Sequence, residues 1–491
     1  MTGGVTRMRG ADAGFLYIET PSMHMHTLKI AVLDPSPELT YDNLVQAMLY
    51  RLRRLPPLRR RVVPVPFALN HPVLVTQRRL DPSRHFFRHD LGGRGRMRDL
   101  ELLVGRIAST PLDRHVPLWE LHLCEGLEGG KVAVVAKIHH SLADGVAANA
   151  LLANVMDVRS AEVAPGYFAD AGDGADPPGA GRLVVDALRD AILQLGLLPG
   201  LLGRTFGAVR GVVRLRRGAE GRPPLPIKDA PRASFNGPLT PRRSFATVTL
   251  PLADLKEVRS RYDDLGPITL NDVVLAVTSG ALRRWLDLHG ERPRTSLTAG
   301  VPVGLDPRDS DPRLFGNNVS NLFTTLATDV EDPAERLRVI AETARRAKEV
   351  NQRLGSSLVE WSQFTPPAPV AALARAYSRY RGARFHSPPF SAIVSNVPGP
   401  RERVKIGGAH LADVFSVGPL VEGIGLNVTV WSYVDRMNFS LLACPDLLPD
   451  VEVLAGLLPA ALDELLGRDG STDAAPAEDG TGSSGGDRET A

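Results

Sequence analysis

The sequence predicts a mixed α/β protein built from two domains, and three observations carry that expectation. Helix-period and strand-period apolar patterns alternate through both halves of the chain. A stretch rich in Gly, Pro and Asp separates the halves between Ala161 and Pro231. The 491 residues, 43% apolar and 23% charged, have ordinary globular usage, and at roughly 150 residues per domain the length suits two or three domains. This balance excludes wholesale disorder and a fibrous repeat. No run of about 18 apolar residues occurs, and residues 1–17 lack the apolar stretch of a secretory signal, so a cytoplasmic protein without a transmembrane span is expected. Cys124 and Cys444 cannot make a disulfide framework or a four-ligand zinc site, and read as buried packing residues.

In the first half, Thr40 is a candidate N-cap. Leu44, Val45, Met48, Leu52 and Leu55 follow at helical spacing until Pro56 and Pro57 stop them. Residues 119–124 and 131–138 read as β-runs joined by a turn at Glu128-Gly129-Gly130, and residues 145–158 resume a helical pattern. Strand, short loop and helix place loop side chains at a sheet edge, where active sites are often built. In the second half, Leu252, Leu255, Val258 and Tyr262 mark one helix and Val274, Val277, Ala281 and Trp285 another; residues 297–303 and 318–325 look like strands. Asp332, Pro333 and Glu335 supply the N-cap, N1 proline and N3 acid of a further helix. The predicted boundaries are 1–160 for the first domain, 161–235 for a linker, 236–468 for the second domain and 469–491 for a disordered tail.

Within the linker, residues 182–218 interleave leucines, valines and Phe206 with Arg204, Arg210, Arg214, Arg216 and Arg217, and no acid occurs between Asp190 and Glu220. Two readings stand: an interfacial helix whose arginines meet lipid phosphates, and a helical hairpin packed on the protein's own core and broken at Pro199-Gly200. The net charge of +3 hides a division, because the tail holds six acids against Arg488 alone and leaves the body five charges more positive than the whole chain. Arginine makes up 51 of the 58 basic residues. Such a body attracts anionic ligands, although a compositional bias toward Arg, Ala and Gly would leave the same mark.

The densest reactive cluster is Ile138-His139-His140-Ser141-Leu142-Ala143-Asp144-Gly145. Adjacent side chains of an extended chain face opposite ways, so His139 and His140 cannot address one substrate together: one acts and the other supports. Imidazole, with an ordinary pKa of about 6.5, is the side chain best placed to take a proton from an alcohol near neutral pH. Asp144, before a tight turn closed by Gly145, is placed to fix the loop or the imidazole tautomer. A structural histidine pair capped by an aspartate turn is the alternative; the pairing, the glycine and the strand-to-helix setting weigh against it. No lysine precedes Ser or Thr, so there is no Walker A loop, and neither G-x-S-x-G nor H-E-x-x-H occurs. His24 and His26 share a strand face, but no third metal ligand is signalled and a structural role is favoured. Neither a metal nor a nucleic-acid partner is expected.

His139 to Gly145 resembles the HHxxxDG motif of the bacterial wax ester synthase/diacylglycerol acyltransferase family, a branch of the CoA-dependent acyltransferase superfamily defined by HxxxD. The resemblance spans most of the chain: Asp12-Ala13-Gly14-Phe15-Leu16, Pro111-Leu112-Asp113 with Pro117-Leu118-Trp119-Glu120, and Asn236-Gly237-Pro238. Leu270-Asn271-Asp272-Val273 looks like the family's second signature and Ser395-Asn396-Val397-Pro398-Gly399-Pro400 like its third. Ser22-Met23-His24-Met25 departs from the common Pro-Met-His-Val, which bears on acceptor selectivity, and the acidic tail is no part of the pattern.

The resemblance implies two chloramphenicol-acetyltransferase-like domains facing each other across a substrate channel. It aligns HxxxD on His140 and Asp144, so that His140 is the base, His139 a support, and Asp144, Gly145 and Asp272 structural. The implied reaction is transfer of a long-chain acyl group from acyl-CoA, a co-substrate, to diacylglycerol or a fatty alcohol, without a covalent enzyme intermediate or a cofactor. Asn271 is the first candidate donor to the oxyanion, with Ser395 and Asn396 behind it, although the reading of Asn271 as the N-cap of a helix beginning at Asp272 is somewhat favoured. Trp119 reads as core. A location at the inner membrane or a lipid-droplet surface follows from the substrates. Two other functions remain open at this point: a condensation-type acyltransferase that uses an acyl carrier protein, and a catalytically silent lipid-binding relative.

Overall fold

The computed structural model describes residues 4–52, 55–144, 147, 174–217, 223–224, 228, 230–306 and 313–468. Gly145, the expected helix over 145–158 apart from Ala147, and the acidic tail lie outside the described residues. The first half supplies strands β1 (Val5–Arg7), β2 (His26–Leu33), β3 (Arg60–Val63), β4 (Val73–Thr76), β5 (Phe86–Gly95), β6 (Trp119–Leu127) and β7 (Val132–His139). The second supplies β8 (Ser244–Pro251), β9 (Thr298–Gly304), β10 (Val319–Thr325), β11 (Ala392–Val397), β12 (Lys405–Ile406), β13 (Ala409–Val417), β14 (Leu426–Tyr433) and β15 (Arg436–Ala443). Helices α1 (Gly10–Ile18), α2 (Tyr41–Leu52), α3 (Met97–Ala108), α4 (Ala180–Leu195) and α5 (Leu198–Arg217) come before β8. After it come α6 (Leu252–Arg261), α7 (Leu270–Leu288), α8 (Pro333–Trp361), α9 (Pro367–Arg379) and α10 (Val451–Leu466).

Two six-stranded mixed sheets organise the molecule, in the orders β12-β13-β2-β7-β6-β5 and β10-β9-β11-β14-β15-β8, beside a small β1-β4-β3 sheet. In the first sheet, Leu28, Ile30, Ala133 and Val135 pack beneath Leu100, Leu103 and Val104 of α3, while Ala31, Leu33, Ala136 and Ile138 share a core with Trp431 and Tyr433 of β14. β2 is therefore buried along its whole length. The far face of the second sheet is covered by α7, α8 and α10, whose Val274, Leu337 and Leu458 join Val428, Val430 and Phe439 in one core. Across the seam, the buried Lys29 ammonium of β2 lies 4.2 Å from the Trp431 ring centroid. Burial lowers the pKa of Lys29 to about 7, with Asp144 pulling the other way.

The division at residue 235 does not separate the sheets. β13, from the second half, pairs antiparallel with β2 and carries the short β12 at its edge, so residues 405–417 complete the first sheet. The helix break in 182–218 also differs from the expected position. Pro199 sits in the first turn of α5, where its missing N–H costs nothing, and the interruption falls at Gly196-Leu197. No single helix among the described residues is long and apolar enough to cross a membrane; α4 with residues 198–214 meets that length only as a pair bent by 47°.

The local expectations at element ends are met. Thr40 Oγ1 accepts the Asn43 N–H at the start of α2, Gly129 turns the β6–β7 connection at φ 72°, and Asp332 accepts the Glu335 N–H at 2.7 Å. Both cysteines are buried thiols.

Candidate active site

β7 ends at His139, and its pleat sends consecutive side chains to opposite faces. His139 is buried, 3.4 Å from the Glu19 carboxylate through Nε2, while Nδ1 accepts from the Ser141 N–H and lies 2.8 Å from the Ser141 hydroxyl. Burial works to raise the Glu19 pKa, but His139 and Arg114 outweigh it and hold the carboxyl well below the usual range. His139 is thus a fixed support beneath the turn.

His140 occupies the other face, at the seam between the halves. Its backbone N–H donates to Met25 O at 2.7 Å, and its ring stacks on Phe15 of α1 at 4.2 Å between centroids. Nδ1 lies 2.9 Å from Asn317 Oδ1. The Asn317 amide is oriented by its other bonds: Nδ2 donates to His140 O at 2.7 Å and to Asp12 Oδ1 at 3.0 Å, both acceptors only. Oδ1 therefore accepts, Nδ1 carries the proton, and the Nε2 lone pair is left to take one from a substrate. Burial lowers the His140 pKa below its ordinary value, and the Asn317 bond and Asp144 oppose that only in part. The imidazole is consequently neutral, the form a base requires, at neutral pH.

Asp144 plays a different part from tautomer fixing. Fully buried, it accepts from Arg313 Nη2 at 2.7 Å, the Asn318 N–H at 2.8 Å and the Ala147 N–H at 2.9 Å. It clamps the turn to the 313–318 loop of the second half, and Gly316 completes the joint by donating its N–H to Leu142 O at 2.6 Å. At φ +83° any side chain there would be strained, which favours glycine. Replacing Asp144 by alanine leaves the Ala147 and Asn318 N–H groups without that acceptor and Arg313 with Asp306 as its one remaining carboxylate among the described residues, so a loss of about 3 kcal/mol is expected as a lowered thermal unfolding midpoint.

The residues that orient His140 are Asp12, Phe15 and Asn317. Asp12 and Phe15 lie in the Asp12-Ala13-Gly14-Phe15-Leu16 block, but nothing local marks their role. Asn317 stands 177 positions from His140 and was invisible to spacing.

The oxyanion candidates fare unequally. Asn271 is not the cap of its helix: α7 starts at Leu270, and Thr269 caps it in a reciprocal pair with Asp272, whose carboxylate accepts the Thr269 N–H at 2.8 Å. Asp272 is structural at that cap, and burial raises its pKa against the Thr269 bonds. Ser395 pairs in register with Thr429, on the face that carries Trp431 toward the first sheet, whereas Asn396 pairs with Val430 and faces the helical side. That parity corrects the expectation for Asn396. None of the three hydrogen-bonds to His140.

His24 and His26 are buried and stacked at 5.7 Å; burial first, then neighbouring cations, lower their pKa, that of His24 to about 4. Among the described residues no group of three His, Cys, Asp or Glu side chains is placed to hold a metal ion. Trp119 is core, its Nε1 donating to Leu58 O at 2.7 Å.

Comparison with known proteins identifies the family. The profile of the wax ester synthase/diacylglycerol acyltransferase catalytic domain matches residues 8–274, and that of the WS/DGAT C-terminal domain matches residues 315–466. The Mycobacterium tuberculosis protein named "Putative diacyglycerol O-acyltransferase Rv0221" is 40% identical over 459 residues, covering 92% of this chain and 94% of its own. A second from that organism, "Putative diacyglycerol O-acyltransferase Rv1760", is 34% identical over 467 residues, covering 94% and 90%. Among solved structures, the wax ester synthase/diacylglycerol acyltransferase from Marinobacter aquaeolei VT8 is 26% identical with a TM-score of 0.63, over 94% of this chain and 98% of that one. The first condensation domain of the CDA synthetase, at 18% identity and a TM-score of 0.52 over 94% and 97%, shares the fold. With both domains of one acyltransferase family matched in order and a relative 40% identical over most of both chains, the chain belongs to the wax ester synthase/diacylglycerol acyltransferase family.

Proposed function

We propose that the protein transfers a long-chain acyl group from acyl-CoA to diacylglycerol, and to fatty alcohols as alternative acceptors, with His140 as general base. The observation that carries this reading is the Asn317 bond, which holds the proton on Nδ1 and leaves Nε2 free. Nε2 takes the proton of the acceptor hydroxyl as its oxygen attacks the thioester carbonyl. The tetrahedral intermediate collapses with loss of CoA thiolate, which recovers the proton from His140. Ser395, the donor candidate on the seam face, is retained for the oxyanion. The reaction so written needs no cofactor. Purified protein given long-chain acyl-CoA and either acceptor should yield ester and free CoA in equal amounts. Activity with neither acceptor would sink the reading, and transfer only from an acyl carrier protein would assign the site to condensation-type chemistry.

Both acceptors partition into lipid, and the surface of α4 and α5 suits an anionic lipid interface, which supports a location at the membrane or droplet periphery. Val185, Leu188, Ile192 and Leu195 form an exposed stripe on α4, bordered by Arg182 and Arg189. Leu202, Phe206, Val209 and Val213 do the same on α5, bordered by Arg210 and Arg214, while Leu183, Ala187 and Leu201 face inward. The 66–68 turn lies against both α4 and α9 and adds Phe67, 87% exposed. Apolar surface of this extent ringed by arginine matches interfacial helices. A cleft of about 440 Å³ opens at the bend between the helices and reaches Gly10 and Ala11 of α1, the helix that carries Asp12 and Phe15. The protein should co-sediment with phosphatidylcholine/phosphatidylglycerol vesicles, and Ile192→Glu with Phe206→Glu should lower the bound fraction about tenfold. Unchanged binding would remove this face from lipid contact; loss of a dimer instead would assign it to a second copy of the chain.

A further inference from the structure

Beside the catalytic turn lies a second cleft, of about 360 Å³, with Ser141 and Leu142 on one wall and Arg7, Arg9, Arg60 and Arg313 around it. That volume falls within the range of small-molecule sites. The lining holds these four arginines against a single acid, Asp12. Asp12 is already committed to the Asn317 N–H at 2.6 Å and to Arg9 at 3.3 Å.

The arginines differ in how far their charge is spent. Arg313 is neutralised by Asp144 and Asp306, both at 2.7 Å. Arg9 donates to Asp12 and to Asn317 O. Arg7 is spent on Asp190 at 2.5 Å and His71 O at 2.7 Å, and by strand register its side chain lies on the opposite face of the small sheet from Arg60. Arg60, at the first position of β3, is half-buried and has no carboxylate partner among the described residues; its guanidinium lies over the Phe315 ring at 5.1 Å. Burial alone accounts for its lowered pKa, so no nearby acid offsets it. A half-buried guanidinium with its in-plane donors unspent lacks an anion.

We propose that this cleft binds the phosphates of the CoA moiety, with Arg60 as the principal contact. The inference rests on acyl-CoA being the donor. Ser141 follows His140 directly, so a nucleotide anchored here leaves the pantetheine arm to carry the thioester to the base. Arg9 lines this cleft and also the one at the α4–α5 bend, which places the first turn of α1 between a polyanion site and a lipid-facing opening.

The test is calorimetric titration of the full-length protein with CoA. Arg60→Gln should weaken binding about tenfold or more, and Arg60→Lys, which keeps a cation without the planar fork, should fall between. In turnover, the KM for acyl-CoA should rise by the same factor with kcat unchanged, while the KM for the matching S-acyl pantetheine, which has no phosphate, should stay put. Unchanged CoA affinity in Arg60→Gln, at an unaltered thermal midpoint, would overturn the assignment. So would an equal loss for acyl pantetheine, which would mark a structural role for Arg60, and if Arg60→Gln lowers the thermal midpoint the Arg60→Lys comparison decides in its place. Calorimetry needs no turnover. A protein that binds CoA through Arg60 yet transfers nothing keeps the cleft and defeats the proposed reaction; one that transfers acyl groups with a KM indifferent to Arg60 does the reverse.

Discussion

Replacing His140 by alanine should lower acyl transfer about a thousandfold while leaving the thermal midpoint close to wild type. The ring is half-buried, and its contacts are the Phe15 face and one amide oxygen, so removing it disturbs little packing. What is lost is the acceptor for the hydroxyl proton. Without it the alcohol must attack as a neutral nucleophile or lose its proton to water. Ester formation and CoA release should fall together. A variant that retains most of the wild-type rate would remove His140 from the chemistry.

The second large effect is expected at Asn317, a positioning residue. Asn317→Ala should lower kcat about a hundredfold, because the imidazole loses the acceptor that fixes its tautomer and ring plane. The pH profile separates this role from a merely structural one. The base must be neutral, so activity falls as pH drops through the His140 pKa, and burial sets that acid limb below the ordinary value of about 6.5. The Asn317 bond raises the His140 pKa. Its removal should therefore move the limb to still lower pH even as the plateau falls. A lowered plateau with an unmoved limb would mean that Asn317 only supports the fold.

Much of this molecule is legible in the sequence where the determining physics is local. The β6–β7 pair, the Asp332 cap with Pro333, and the helix through Val274, Val277, Ala281 and Trp285 follow from periodicity and capping chemistry within a few residues. The proposed base is read from the sequence on similar grounds, since strand pleating separates His139 from His140 and the superfamily pattern picks the second. Asp144 is legible as structural, although its partner Arg313 is not.

What escapes the sequence depends on contacts between distant segments. The Asp12–Asn317–His140 relay joins three places on the chain, and only the assembled seam brings them together. β13 crosses to β2 because its apolar residues complete a sheet begun nearly four hundred positions earlier, which no window can register. The helix break moved from Pro199 to Gly196 because proline disrupts a helix interior but is accommodated in a first turn. Asn396 and Ser395 could be separated only by strand register.

Rapid-quench kinetics with radiolabelled acyl-CoA tests direct transfer on His140 more sharply than any steady-state rate. Direct transfer predicts no burst of CoA and no label on the protein in the absence of an acceptor, with ester and CoA appearing together once diacylglycerol or a fatty alcohol is added. A burst of CoA equal to the enzyme concentration before acceptor is present, with the acyl label carried on the protein, would contradict it.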